Sequence, residues 1–300
     1  MKNLANKKLL ILGANYETIP LIQTAKNMGI VVYVTDNNPT SIGKKFADIK
    51  LDIDGFDINK LIEKIRSEKI DGVLVGVADR LVEPYQKICD ELGFPCYATE
   101  QSCKIFTDKG YFNDICEEYE IPIIPKYNLS EKFEKDVLNG MSFPVFVKPV
   151  DSNSGKGMSI CFNIDEIPLA VKKALENSKT KRFIVDELMD CDDMFIYFTF
   201  KDGEIFVSAT ADRFTSHEQG RLSKVCLGGL YPSKYTDLYF QTLHDKLVKM
   251  FLDLGILNGV MMISAFVKNN KLHLYDPGFR LQGEAPNVLI EAINGFDQKT

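Results

Sequence analysis

Three hundred residues, 45% hydrophobic and 26% charged, describe an ordinary globular chain long enough for two or three packed units and exclude a disordered or fibrous one. The 36 basic and 42 acidic side chains leave a net charge of −6, which argues against a general nucleic-acid or anionic-membrane surface. No apolar run approaches the roughly 18 residues a membrane span requires. Met1 to Lys8 pass directly into Leu9-Leu10-Ile11-Leu12, a run too short for a signal sequence, so a cytoplasmic protein is expected. Seven cysteines, with no Cys-x-x-Cys among them, read as reduced and mostly buried thiols. Cys89, Cys96 and Cys103 recur every seven residues, but Phe94-Pro95 breaks any helix that would align them.

The first hundred residues alternate strand and helix. Apolar runs at 9–12 and 30–34 flank a helical period over 16–28; a helix over 57–68, a strand over 72–75 and a helix over 81–92 stopped by Gly93 follow. Strands apolar on both faces belong to a parallel sheet covered by helices, so a Rossmann-like unit is expected over 1–107. Asp36 stands 23 residues after Gly13, near the place of a ribose-binding acid, but Gly13-Ala14-Asn15-Tyr16-Glu17-Thr18 supplies only the first of the three glycines of a dinucleotide site. The unit therefore reads as scaffold and one wall of a cleft, with a nicotinamide or flavin site as the weaker alternative.

Near residue 107 the texture changes. A helix over 109–119 leads into Ile121-Pro122-Ile123-Ile124-Pro125 and a small α+β section, 108–186. The remainder, 187–300, is strand-rich: antiparallel strands over 194–200, 203–209, 259–267 and 271–275, hairpin turns at Lys201-Asp202-Gly203 and Lys268-Asn269-Asn270, and a helix over 239–254 between the pairs. The fold class is thus α/β followed by α+β.

Phe143-Pro144-Val145-Phe146-Val147-Lys148-Pro149 is a buried-type strand that delivers a lysine beside a proline. Asp151-Ser152-Asn153-Ser154-Gly155-Lys156-Gly157-Met158 follows, and then a strand at 159–162. A small-residue loop between strands can fold its N–H groups over a polyphosphate, because glycine permits close approach and positive φ. No helix opens behind it, so it is not a Walker A loop. Upstream, Thr107-Asp108-Lys109 stands at a helix start. Downstream, Phe183-Ile184-Val185 ends in Asp186-Glu187-Leu188-Met189, with Asp193 seven residues past Asp186. Leu274-Tyr275-Asp276-Pro277-Gly278-Phe279-Arg280-Leu281-Gln282-Gly283 places a carboxylate at a strand end, an arginine four positions on and a glycine three beyond that.

This order resembles the ATP-grasp superfamily, in its carbamoyl-phosphate-synthase-like and biotin-carboxylase-like branch, over nearly the whole chain. The strand, lysine, proline and glycine-loop element is its most specific part. The resemblance implies a Rossmann-like domain, a small lid and an antiparallel-sheet ATP domain. It implies that Lys109 and Lys148 face the phosphates of ATP and that Ser152 to Met158, including Ser154, Gly155, Lys156 and Gly157, close over them. Asp186 would accept from the adenine amino group, the backbone of Glu187, Leu188 and Met189 would pair with the ring edge, and Asp193 would hold the ribose hydroxyls. Arg280, with Lys148, is the implied catalytic residue, its guanidinium clamping the acyl phosphate. Arg213 is a second candidate for a substrate carboxylate. His217 and Glu218 read as an exposed loop pair, with general-base duty as the alternative.

Members of the superfamily hold Mg²⁺, or Mn²⁺, with Glu or Gln on one strand and Glu-x-Asn on the next. Asp276 takes the second carboxylate position, because Arg280 and Gly283 then fall in register; the first falls on Ser264, twelve residues earlier, and the asparagine position on Gly278. A hydroxyl is a weaker ligand than a carboxylate and glycine has no side chain, so low metal affinity is expected. The implied activity is an ATP-dependent ligase joining a small-molecule carboxylic acid to an amine, or a thiol, with no nucleic-acid or membrane partner. Self-association stays open, and a further small domain after residue 300 is expected from the resemblance. The reduced metal set keeps in play a nucleotide-binding protein with little or no turnover; Asp36 keeps in play an NAD-linked oxidoreductase.

Overall fold

The computed structural model describes residues 4–152, 155–216, 226–283 and 286–299. The chain opens as β1 (Lys8–Leu12), α1 (Ile19–Asn27), β2 (Val31–Thr35), β3 (Ile49–Leu51), α2 (Ile58–Glu68), β4 (Gly72–Val75) and α3 (Val82–Leu92), giving a parallel sheet of order β3-β2-β1-β4. The strands are apolar on both faces because both are covered. Leu10, Leu12 and Tyr33 pack with Leu61 of α2 and Ile88 of α3, while Ile11, Val32 and Val34 pack with Leu21, Ile22 and Ala25 of α1. Strand order reverses between β1 and β4, so the loops after these two strands open a crevice at the carboxyl end of the sheet. Asp36 is spent inside that loop system. Its carboxylate accepts from the amides of Ala14 (3.2 Å) and Asn38 (2.8 Å), while the buried Lys44 donates to its carbonyl at 2.7 Å. The acid placed for a ribose therefore braces the β1 loop.

Two helices join this unit to the rest. Thr99 and Ser102 form a capping box that starts α4 (Glu100–Thr107), a helix the sequence pattern did not reveal. Asp108 then leaves helical geometry and caps α5 (Lys109–Glu118), accepting from the amides of Gly110 (2.8 Å) and Tyr111 (3.2 Å), and so fixes Lys109 on the first turn.

The second sheet, order β5-β8-β6-β7, is small and antiparallel: β5 (Lys126–Tyr127), α6 (Lys135–Asn139), β6 (Val145–Pro149), β7 (Ser159–Cys161), α7 (Ile167–Glu176) and β8 (Phe183–Glu187). It has its own core, in which Val145, Val147, Cys161 and Val185 meet Ile167, Ala170, Val171 and Ala174 of α7.

The third sheet, order β11-β10-β9-β12-β13, comprises β9 (Asp192–Lys201), β10 (Glu204–Thr215), β11 (Cys226–Leu230), β12 (Gly259–Lys268) and β13 (Lys271–Gly278). The β9–β10 turn puts Asp202 and Gly203 at φ of 51° and 86°, and the β12–β13 turn puts Asn269 and Asn270 at 52° and 58°, the doubly left-handed form that suits a twisted hairpin. The helix expected over 239–254 is two helices, α8 (Thr236–Thr242) and α9 (His244–Asp253), broken at Leu243 with φ −127°. The Thr242 hydroxyl donates to the Leu238 carbonyl at 2.7 Å, a back-bond that bends a helix. Both pack on Ile196, Phe198 and Ile263, in one core continuous with that of the first sheet through Phe106 and Phe112. On the opposite face α10 (Asn287–Asn294) sets Ile290 against Phe195 and Tyr197. Among the described residues no helix is long and apolar enough to cross a membrane.

Candidate active site

The small sheet presents its lysine from a dry strand. Lys148 on β6 is 6% exposed, and its Nζ lies 2.7 Å from Oδ2 of Asp186, a residue of the neighbouring strand β8. The other carboxylate oxygen of Asp186, Oδ1, is buried and accepts no hydrogen bond among the described residues. Such an orphaned acceptor costs about 1–3 kcal/mol and awaits a donor. In the glycine loop, Gly155 and Gly157 have φ of +76° and +79°. A Cβ on Gly157 would fall 2.6 Å from Asn177 Cβ and 2.8 Å from Pro149 Cγ, so only glycine lets the loop lie this close. The Ser152 hydroxyl donates to the Lys156 carbonyl (2.9 Å), and the Lys156 side chain is exposed. Ser154, His217 and Glu218 lie outside the described residues.

The segment after Asp186 offers fewer donors than the sequence suggests. The Glu187 amide donates to the Pro125 carbonyl (2.8 Å) and the Leu188 amide to that of Pro144 (3.4 Å). Of the three N–H groups expected at a ring edge, only that of Met189 makes no backbone bond among the described residues. The Glu187 carboxylate pairs with Lys268 of β12 and stitches the small sheet to the large one.

On the large sheet, Asp193 of β9, Arg213 of β10 and Tyr275 of β13 form a buried knot. Arg213 Nη1 lies 3.1 Å from Asp193 Oδ2 and donates to the Tyr275 hydroxyl (3.1 Å), which donates to Asp193 at 3.0 Å. Burial, followed by the charge of Asp193, holds the Tyr275 hydroxyl well above its ordinary pKa, so it stays a donor. Arg213 thus finds its carboxylate in Asp193, and the structure does not bring it to Arg280. Ser264 of β12 and Asp276 of β13 are direct cross-strand partners. Ser264 is 2% exposed, whereas the Asp276 side chain is 52% exposed. Lys109 joins this group from α5: its Nζ is 3.6 Å from Asp276 Oδ1 and donates to the Ser152 carbonyl (3.2 Å).

Arg280 faces the first unit. Its Nη2 pairs with Asp79 in the loop after β4 at 2.7 Å, and Nη1 donates to the Leu281 carbonyl (3.2 Å) and to Gln282 Oε1. Its Nε is buried and makes no hydrogen bond among the described residues. A Cβ on Gly278 would lie 3.3–3.5 Å from this guanidinium, so the glycine gives Arg280 a little more room. Asp79 and Tyr275 were given no role by the sequence reading, since their partners Arg280 and Arg213 lie 201 and 62 positions away; Gln282 was given none although Arg280 stands two positions before it. Between the first unit and the small sheet lies a cleft of about 380 Å³, walled by α3, α4, Asp79 and Asp151 and bounded by Lys109 and Asp276.

Among the described residues no three His, Cys, Asp or Glu side chains gather as a metal site. The single carboxylate of Asp276 suits Mg²⁺ only where water and phosphate oxygens complete the shell.

Residues 118–218 match the family described as D-ala D-ala ligase C-terminus. The D-alanine–D-alanine ligase of Tropheryma whipplei (strain Twist) is 26% identical over 201 residues, covering 62% of this chain and 53% of that protein. The formate-dependent phosphoribosylglycinamide formyltransferase of Prochlorococcus marinus subsp. pastoris is 27% identical over 201 residues, covering 65% and 51%. Among solved structures, the biotin carboxylase domain of the Hydrogenobacter thermophilus 2-oxoglutarate carboxylase, in complex with MgADP, ADP and bicarbonate, superposes with a TM-score of 0.79 at 16% identity, covering 98% of this chain and 68% of that one. The family match, these relatives and the solved structures all indicate the ATP-grasp superfamily. The chain's mixed fold, a parallel sheet followed by antiparallel ones, is the one the sequence led us to expect. The chain spans about half the length of the curated relatives it matches.

Proposed function

We propose that the protein is an ATP-dependent ligase that activates the carboxylate of a small acid as an acyl phosphate, which an amine then attacks. The observation that carries this reading is the meeting of Lys109, Ser152 and Asp276 where the small sheet, α5 and the large sheet converge. In it the adenine amino group donates to the orphaned Oδ1 of Asp186, Met189 N–H meets the ring edge, and Asp193, oriented by Arg213 and Tyr275, faces the ribose. Lys148 and Lys109 offset phosphate charge as point cations, and the 155–157 loop closes over them. Asp276 would hold Mg²⁺, which would supply electrophilic polarisation of the phosphates. Arg280, held by Asp79 and Gln282 with Nε still open, grips the acid as charge develops on the transferring phosphoryl group. Splitting the reaction this way suits the chemistry, because a carboxylate is a poor electrophile and an acyl phosphate a good one. Seven free thiols fit a reducing cytoplasm.

Ser264 and Gly278 favour a second reading, a nucleotide binder with little turnover. Hydroxylamine, a nucleophile indifferent to substrate identity, separates the two: with ATP, Mg²⁺ and a panel of acids, a ligase forms a hydroxamate and one ADP per product. Binding of ATP with no hydroxamate and no ADP for any acid would leave the second reading standing.

A further inference from the structure

The cleft between the first unit and the small sheet holds cations that this reading does not use. Most of its acids are engaged: Glu83 with Lys87 at 2.6 Å, Asp79 with Arg280 at 2.7 Å, Asp276 with Lys109 at 3.6 Å, and Asp151 with the Thr180 amide at 2.9 Å. Arg80, Lys104 and Lys179 line the same cleft and make no ion pair among the described residues. Each rests instead on an aromatic face. Arg80 and Lys179 lie 5.1 and 5.6 Å from the centroid of one ring, Phe56, and Lys104 lies 4.2 Å from that of Tyr111. Glu100 is the single lining acid without a partner among the described residues, so three unpaired cations face one unpaired acid. Both cations approach the same ring and line the same cleft, so their charges add there and an anion in the cleft offsets them. Arg80 belongs to the loop after β4 and Lys179 to the turn between α7 and β8, so such an anion ties the small sheet to the first unit. At about 380 Å³ the cleft has the size of a small-molecule site, and it ends on Lys109 and Asp276.

We propose that the acid substrate carries a second anionic group, a carboxylate or a phosphate monoester, which Arg80, Lys104 and Lys179 hold while the carboxylate to be activated reaches Lys109 and Arg280. This rests on the ligase reading and narrows its substrate to small polyanionic acids. The same cations also draw the small sheet down when the acid binds, because one anchor lies on each side.

The test uses tricarballylate and 3-phosphoglycerate as polyanionic probes, with propionate and alanine as controls. Each is titrated into the full chain by thermal shift at constant ionic strength, with and without a saturating non-hydrolysable ATP analogue and Mg²⁺. The expected result is saturable stabilisation by a polyanion with the nucleotide site filled and none by the controls; the stronger of the two probes tells carboxylate from phosphate. In the Arg80→Gln/Lys179→Gln variant the Kd for that probe should rise at least tenfold, while the Kd for the ATP analogue moves less than threefold. Loss of the polyanion effect once the analogue is bound would assign these cations to the nucleotide's own phosphates and overturn the proposal. Equal affinity of variant and wild type, or equal stabilisation by propionate, would overturn it as well. Absence of any ATP-analogue shift sinks the ligase reading instead, whatever the polyanions do.

Discussion

Replacing Lys148 by Met tests stability and nucleotide binding at once, because its partner is buried with it. The side chains of Lys148 and Asp186 are 8% and 3% exposed and 2.7 Å apart. Removing the ammonium leaves a carboxylate in a dry site with one oxygen already unpartnered. Breaking such a pair from one side costs about 3–5 kcal/mol, a large part of the roughly 5–15 kcal/mol that holds a domain. The small sheet should feel this first, since its core is separate from the main one. Loss of the cation facing phosphate should separately weaken ATP by about 10- to 100-fold, roughly 1.4–2.8 kcal/mol. Urea unfolding and ATP thermal shift measure the two effects, and Lys148→Met/Asp186→Leu divides them. Replacing both ions by apolar groups is often neutral, so the double variant should recover most of the stability and none of the affinity. A single variant within about 0.5 kcal/mol of wild type, or a double variant as unstable as the single, would refute the reasoning.

Three other outcomes follow from the same geometry. Asp276→Asn should leave the melting temperature nearly unchanged, because the side chain is half exposed, yet lower hydroxamate formation at least about 100-fold, near 2.7 kcal/mol; intact turnover would mean that the strand register assigns the wrong carboxylate. Gly157→Ala forces a side chain to φ +79° against Asn177 and Pro149 and should cost about 1–3 kcal/mol, with faster proteolysis in the 155–157 loop as the readout and wild-type cleavage as the contrary result. Cys96 should be the first thiol alkylated by iodoacetamide. Hydrogen bonds from the Cys89 thiol first and then Tyr85 hold its pKa down to about 7, while burial pushes Cys103 up to about 12. The thiolate is the charged form, so its rate should climb as pH rises through 7, and mass mapping that finds Cys103 modified as fast would contradict this.

Order along the chain was legible and long-range pairing was not. The parallel unit announced itself through strands apolar on both faces, and both hairpins through Asp-Gly and Asn-Asn, residues that tolerate the left-handed turn. The α4 helix was hidden because its start depends on a Thr99–Ser102 capping box and its end on Asp108 serving the next helix. The break at Leu243 was hidden because the 3.6-residue period runs on across it, while the Thr242 back-bond that bends it is a side-chain event. At the site, the resemblance to the ATP-grasp pattern marked Lys109, Lys148, Asp186, Asp193 and Asp276 as candidates. Nothing in spacing could disclose that Lys148 and Asp186 are partners, that Arg213 is tied to Asp193, or that Arg280 reaches back to Asp79. Those facts require the sheets to be folded first.

Ser264 and Gly278, the two positions at which the resemblance implies metal ligands, lie on the paired strands β12 and β13. Gly278 leaves room for the Arg280 guanidinium, 3.3 Å from where a Cβ would be, and that guanidinium is tied to Asp79 of the first unit. A Cβ there would require the guanidinium to give by a few tenths of an ångström. Ser264 sits between Phe195 and Asp276 in register and is buried. A carboxylate at 264 would place a second negative charge beside Asp276, whose cation is Lys109 at 3.6 Å. At that separation the Lys109–Asp276 attraction is on the order of 1 kcal/mol in water and about 5 kcal/mol at an effective dielectric of 20. A like charge on the facing strand would oppose that attraction. The hydroxyl at 264, the glycine at 278 and the lysine beside Asp276 therefore form one consistent arrangement: a site with a single exposed carboxylate, held in place by a lysine until another cation competes for it.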